Sequence, residues 1–336
     1  MNVIIPVAGL GTRLRPHTWS KPKPLVSVAG KPVLGHVLDR LTTLRLDKVV
    51  FVTGYLGEQI EDYVRNEYDF DACFVQQPEQ RGQSDAVIQA RGQVGGPTIV
   101  VFPDMLFEAD LGRLEELTCD GALFVKEASD PRRFGVVVTD NGRGTRLVEK
   151  PREPVSNLAI VGIYYFREIN SLFDAITYQI DHNIQQGGEY YLADAIQHLI
   201  DEGANITWLN VSIWEDCGKP EALLSTNRYL LSLRDGQDVR KVDDSVLIPP
   251  VVIDPTAEVH ASVIGPFASI GAGVVINRSI VQDAIIDAGA RIETAMLTRS
   301  LVGRNALVRG EFMRVNVGDS SDIVLDADDD TSDDGD

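Results

Sequence analysis

Val3-Ile4-Ile5-Pro6-Val7-Ala8-Gly9-Leu10-Gly11-Thr12-Arg13-Leu14-Arg15-Pro16 opens the chain, and its two halves ask for different structures. Residues 3–7 form a nearly continuous β-branched run, the pattern of a strand buried on both faces. Residues 8–13 are small and end in arginine, so the strand runs into a turn whose backbone can approach a ligand closely. The spacing of Val33, Leu34, Val37, Leu38 and Leu41 predicts a helix over 33–46, and the β-branched run at 48–53 predicts a second strand, completing a βαβ-like unit. Further strands are expected at 72–76, 98–102, 122–126 and 135–139, with helices at 84–93, 169–185, 193–202 and 220–233. This alternation makes the fold class α/β over residues 1–235, a Rossmann-like, mixed and mostly parallel sheet that binds ligands at its carboxyl edge.

Beyond residue 235 the helical periodicity stops and a repeat begins. Ser245-Val246-Leu247-Ile248, Ser262-Val263-Ile264-Gly265, Ser279-Ile280-Val281-Gln282 and Ala295-Met296-Leu297-Thr298 follow one another at offsets of 17, 17 and 16 residues. Within each unit apolar residues return about every six positions, as at Ile253, Val259, Ile264, Ile270, Ile276, Ile286 and Ile292. A six-residue period with three faces per coil predicts a short left-handed parallel β-helix of about four coils over 245–315. Residues 320–336 are expected to be a disordered acidic tail, because 326–336 hold seven Asp and no Lys or Arg.

Charge narrows the partners. The 336 residues carry 50 Asp and Glu against 31 Lys and Arg, a net charge of −19. Nucleic acid and anionic membrane surfaces are bound mainly through Lys and Arg, so neither is an expected partner. Only 8 of the 31 basic residues are Lys, a balance that suits a salt-rich cytoplasm. No apolar run approaches the roughly 18 residues of a membrane span, and no basic region precedes the first one, so a cytoplasmic location is expected. Cys73, Cys119 and Cys217 are widely spaced, without a CxxC, and indicate neither a disulfide framework nor a zinc site.

Against this acidic background Arg13, Arg15, Lys21 and Lys23 fall within eleven residues of the opening turn. Positive charge concentrated beside a glycine turn is what phosphoryl chemistry requires. No Gly-Lys-Ser/Thr follows, so the turn is not a P-loop. Val100-Val101-Phe102-Pro103-Asp104 ends a second apolar strand in a carboxylate, well placed for a metal at the same edge.

Gly9-Leu10-Gly11-Thr12-Arg13-Leu14-Arg15-Pro16 followed by Lys21-Pro22-Lys23-Pro24-Leu25 resembles the signature of the nucleoside-diphosphate-sugar pyrophosphorylases, the sugar-1-phosphate nucleotidyltransferase group that includes glucose-1-phosphate thymidylyltransferases. The resemblance extends through Gln77-Pro78, Gly82-Gln83-Ser84-Asp85-Ala86 and Trp214-Glu215-Asp216-Cys217-Gly218, in the family's order. It implies that Ala8, Gly9, Leu10, Gly11, Thr12, Arg13, Lys23, Gln77, Gly82 and Asp104 bind the nucleotide, with Gln77 on a pyrimidine base. It implies Gly135, Glu149, Lys150 and Ile160 for the sugar phosphate. Asp104 and Asp216 would hold Mg2+, and Arg13, Lys23, Asp104 and Lys150 would be catalytic. A carboxylate suits vicinal hydroxyls, and a lysine suits a phosphate as a point charge. Gly187-Gly188-Glu189-Tyr190-Tyr191 also matches in position, with no role assigned.

The reaction so implied joins an NTP and a sugar 1-phosphate, glucose 1-phosphate being favoured, with release of pyrophosphate. Ala8-Gly9-Leu10 is spelled as in uridylyltransferases, whereas Lys21-Pro22-Lys23-Pro24-Leu25 agrees with thymidylyltransferases, so dTTP and UTP stand together ahead of GTP. The alternatives are a nucleotidyltransferase that is also an acetyltransferase, a mannose-1-phosphate guanylyltransferase, and a non-catalytic nucleotide-sugar sensor. The repeat suggests a homo-oligomer.

Overall fold

The structure is a computed structural model that describes residues 1–140, 143–153, 155–234, 242 and 244–311. The expected acidic tail at 320–336 and the last expected β-helix residues, 312–315, lie outside the described residues.

Strand Asn2–Pro6 is the centre of a nine-stranded mixed sheet. It pairs in parallel with Lys48–Thr53 on one side and Thr98–Val101 on the other, so that Ile4 lies opposite both Val50 and Val100. Ala72–Gln76 extends the parallel half. Beyond Thr98–Val101 the sheet turns antiparallel through Leu158–Phe166, which also pairs with Gly121–Glu127 and Val136–Asp140. Val3 and Ile5 enter one buried cluster and Ile4 another, and all three are fully buried. The first cluster takes Leu34 and Leu38 of helix Val33–Leu41 and Leu223 of Pro220–Ser232. The second takes Phe173 of Ile169–Asp181 and Ile196 of Leu192–Asp201. A strand buried on both faces is what the unbroken apolar run at residue 3 demands.

The helices stop earlier than periodicity suggests. Val33–Leu41 ends where the Thr42 and Thr43 hydroxyls bond back to Asp39 O and Arg40 O, and Ile169–Asp181 ends before Asn183 at φ 51°. Gln83–Ile88 is the helix expected over 84–93, cut short.

The C-terminal repeat forms three four-stranded parallel sheets, one per face, as in a left-handed parallel β-helix. Val246 pairs with Val263, Val263 with Ile280 and Ile280 with Met296, reproducing the spacing read from the sequence. Ile264, Ile270, Ile276, Ile286 and Ile292 fill its core. Its polar groups lock one coil to the next: the Ser262 N–H donates to Ser245 Oγ (3.1 Å), that of Ser279 to Ser262 Oγ (3.0 Å) and that of Ala295 to Ser279 Oγ (3.1 Å). Left-handed residues recur at its corners, Ala261, Arg278 and Thr294 at one and Phe267, Asp283 and Arg299 at another. Among the described residues, no helix is long and apolar enough to cross a membrane.

Candidate active site

Two cavities open at the carboxyl edge of the parallel strands, and Asp104 lines both. The smaller, about 270 Å³, is built from the end of Asn2–Pro6, which delivers Ala8 and Gly9, and from Lys23, Gln77 and Gly82. Gln77 is 6 % exposed, and its amide N–H2 donates to Asp85 Oδ2 at 2.8 Å and reaches Gly82 O at 3.4 Å. Arg81 holds the buried Asp85 carboxylate through Oδ1 at 2.6 Å. Because both partners of the amide are acceptors, its orientation follows from chemistry, and Oε1 is the atom left free to accept. Gly82 has φ 115°, and a Cβ there would lie 2.6 Å from Tyr190 N. Its close backbone approach is thus to the 187–191 segment, which backs the cavity, as well as to the cavity itself.

The larger cavity, about 360 Å³, brings together Gly135, Glu149, Lys150 and Ile160 with Arg13 and Asp216. Glu149 approaches so closely that a Cβ on Gly135 would lie 2.8 Å from its Oε2. Burial raises the Glu149 carboxyl above the usual range, and Lys150, 3.6 Å away, only partly offsets this. Burial acts to lower the Lys150 pKa, but the Tyr191 hydroxyl at 3.1 Å and the Glu149 charge outweigh it, so Lys150 remains a firm cation. Trp214 meets Phe134 edge-on with ring centroids 4.6 Å apart, and the two line the same cavity.

The carboxylate pair is set by strand pairing. Met105–Glu108 runs antiparallel to Ile213–Asp216, with Asp216 opposite Met105, and the Cys217 N–H donates to Asp104 O at 2.9 Å. Asp216 Oδ1 accepts from Gly218 N at 2.7 Å, and Lys23 Nζ donates to Asp104 Oδ2 at 3.1 Å. Two hard oxygen donors beside a phosphate-sized space suit Mg2+, which keeps several water ligands and takes the rest from substrate phosphates. Cys217, next to Asp216, is buried, and burial pushes its thiol up to about 12. Among the described residues no group of three or more His, Cys, Asp or Glu side chains is placed to hold a metal ion.

Of the residues expected from the sequence, Leu10, Gly11 and Thr12 line neither cavity. Leu10 is exposed, and Gly11 O accepts from Thr18 Oγ1 at 2.8 Å. The basic cluster of the opening turn is also divided. Arg13 and Lys23 reach the cavities, Arg15 reaches neither, and Lys21 is buried on the opposite side, where Nζ meets Asp287 Oδ2 at 2.6 Å. Sequence reasoning missed Gln80, whose amide donates to Ala8 O at 2.7 Å, and Tyr191 and Glu189 behind Lys150. Glu189 and Tyr191 lay in a segment whose position was noticed without a role, and nothing in the sequence singles out Gln80.

The family model for nucleotidyl transferases matches residues 2–232. The bifunctional protein GlmU of Methanocaldococcus jannaschii is 37% identical over 255 residues, 75% of this chain and 60% of that protein, so the match spans three-fifths of that relative's length. UTP–glucose-1-phosphate uridylyltransferase AglF of Haloferax volcanii is 37% identical over 232 residues, 66% of this chain and 93% of that protein. A glucose-1-phosphate thymidylyltransferase of Streptomyces antibioticus is 29% identical over 359 residues, covering 97% of this chain and 99% of that one, β-helix included. With the sheet, the divided cavity and the match over residues 2–232 in agreement, the chain belongs to the nucleotidyl transferase family.

Proposed function

We propose that this protein transfers a nucleotidyl group from UTP or dTTP to a sugar 1-phosphate, glucose 1-phosphate in the first instance, with release of pyrophosphate and dependence on Mg2+. The observation that carries the reading is the pair of cavities that share Asp104, one lined by Ala8, Gly9 and Gln77 and the other by Glu149 and Lys150. Two substrates bound in adjoining spaces would present their reacting phosphates to each other at the common wall.

In this reading the sugar phosphate oxygen attacks the α-phosphorus, a P–O bond forms, and the bond to the β,γ-diphosphate breaks. No protein nucleophile is required, so the residues act by placing and neutralising charge. Arg13 and Lys23 hold the triphosphate and the departing pyrophosphate. Lys150, kept protonated by Tyr191 and Glu149, orients the attacking phosphate, and Glu149 accepts from ring hydroxyls. Mg2+ held by Asp104 and Asp216 would neutralise phosphate charge. The work falls to residues 1–235, with 245–315 as their scaffold.

The Gln77 amide suits either base. Its free Oε1 can accept from the N3–H that uracil and thymine offer, as it can from guanine N1–H or an exocyclic amine, so the amide fits UTP or dTTP and the choice between bases rests on the relatives. The similarity to AglF favours UTP, and that to the Streptomyces protein favours dTTP. The test is pyrophosphate release from each NTP with a panel of sugar 1-phosphates. UTP or dTTP should be turned over at least about 100-fold better than ATP or CTP. Preference for GTP, ATP or CTP overturns the base assignment, and no release from any pair overturns the reaction.

A further inference from the structure

Lys21 belongs to the same short loop as Arg13 and Lys23, yet it points away from both cavities. Its side chain is 7 % exposed and Nζ pairs with Asp287, which lies on the β-helix 266 residues further along the chain. Around this ion pair the β-helix touches the 12–30 segment at further points. His17 packs on the backbone of Gly303, and Val252 packs on Gly30. Asn227 ties the same region to the β-helix by accepting from Ala29 N at 2.8 Å and from Ser269 Oγ at 2.6 Å while donating to Phe267 O at 3.0 Å. The next residue, Arg228, forms a two-pronged ion pair with Asp283. Between these ties a cavity of about 460 Å³ remains, lined by Lys21, Leu25 and Gly30 on one side and Val252, Ile285 and Asp287 on the other.

A surface lysine between Arg13 and Lys23 would be free to swing into the nucleotide cavity or into solvent. Burying it instead on an aspartate of another structural unit costs desolvation, which only a well-made pair offsets. The arrangement fixes one end of the loop whose other atoms present Arg13 beside Gly218 and Lys23 beside Asp104. We propose that Asp287 is a positioning residue for nucleotidyl transfer: by holding Lys21, the β-helix sets the conformation in which Arg13 and Lys23 meet the triphosphate. The inference rests on the functional reading above.

The experiment measures pyrophosphate release by the full chain and by two variants, D287A and the double variant K21M/D287L. The double variant leaves no unpaired buried charge and is therefore expected to fold even if D287A does not. Both variants should raise KM for the NTP about tenfold, leave KM for the sugar 1-phosphate within twofold, and melt as one transition. An unchanged NTP KM in the folded double variant overturns the proposal, as does an equal rise in both KM values, which marks a general loosening of the fold. Absence of turnover by the unaltered chain overturns the functional reading and the proposal with it.

Discussion

At the carboxyl ends of Asn2–Pro6 and Thr98–Val101, polar side chains face open space: Lys23, Asp104, Glu149 and Lys150 all line cavities. In the β-helix, polar side chains instead bond from coil to coil. Ser245, Ser262 and Ser279 take the N–H groups of the next coil, and Arg309 closes on Glu293 at 2.7 Å. Both regions enclose cores rich in buried valine and isoleucine. The difference teaches that polar groups bordering open space, and not the polar content of a region, mark where chemistry can happen. Ser269, Asp283 and Asp287 face the catalytic unit instead, where they meet Asn227, Arg228 and Lys21.

This contrast can be broken most decisively at the shared wall. Arg13→Ala and Asp104→Ala should each lower kcat/KM by about a thousandfold or more, as expected for groups that act on charge developing in the transition state. His260→Ala in the β-helix should leave it within twofold, and near-normal turnover by both cleft variants would erase the distinction.

A second effect, about tenfold per pH unit, should appear at Glu149. Its pKa is raised by burial, so as pH falls it takes up a proton before an ordinary carboxylate would and loses the ability to accept two hydroxyls. KM for the sugar 1-phosphate should therefore climb at mildly acidic pH, while Glu149→Gln binds weakly with a flat profile. A wild-type profile that is also flat down to the usual carboxylate range would remove Glu149 from the sugar site.

The smallest effect sharpens the other side. Ser279→Ala deletes one rung of the ladder, accepted from Ala295 N and donated to Asn277 O, and should cost about 1 kcal/mol of stability with turnover unchanged. A calorimetric melt and an activity assay on the same sample separate the two readouts, and lost activity without lost stability would contradict the ladder's structural role.

Much of this was legible in residue patterns. The run at 3–7 located the central strand because burial on both faces leaves no polar gap, and the 17, 17, 16 spacing located the coils because each must stack on the last. Leu158–Phe166 escaped notice as a strand because its Gly162, at φ 86°, interrupts the pattern where the pairing with Gly121–Glu127 shifts register. Helix Gly57–Glu67 was missed because only Gly57, Ile60 and Val64 are buried, too few for a clear period. In the site, Asp104 was picked out by its place at a strand end and Glu149 by the family resemblance alone, but the direction in which a lysine points is a property of its partner. Nothing near Lys21 in the sequence mentions Asp287.

Ile285 is counted in the same buried cluster as Leu14, Val26 and Phe51, and Leu301 packs against that cluster from the β-helix. The last coils therefore complete a hydrophobic core that begins with the third residue of the chain. Architectural modularity and thermodynamic modularity part company here: two recognisable folds share one interior, so denaturant should melt them in a single cooperative step. A chain cut after residue 232, where the family match ends, would bare the face that Ile285 covers.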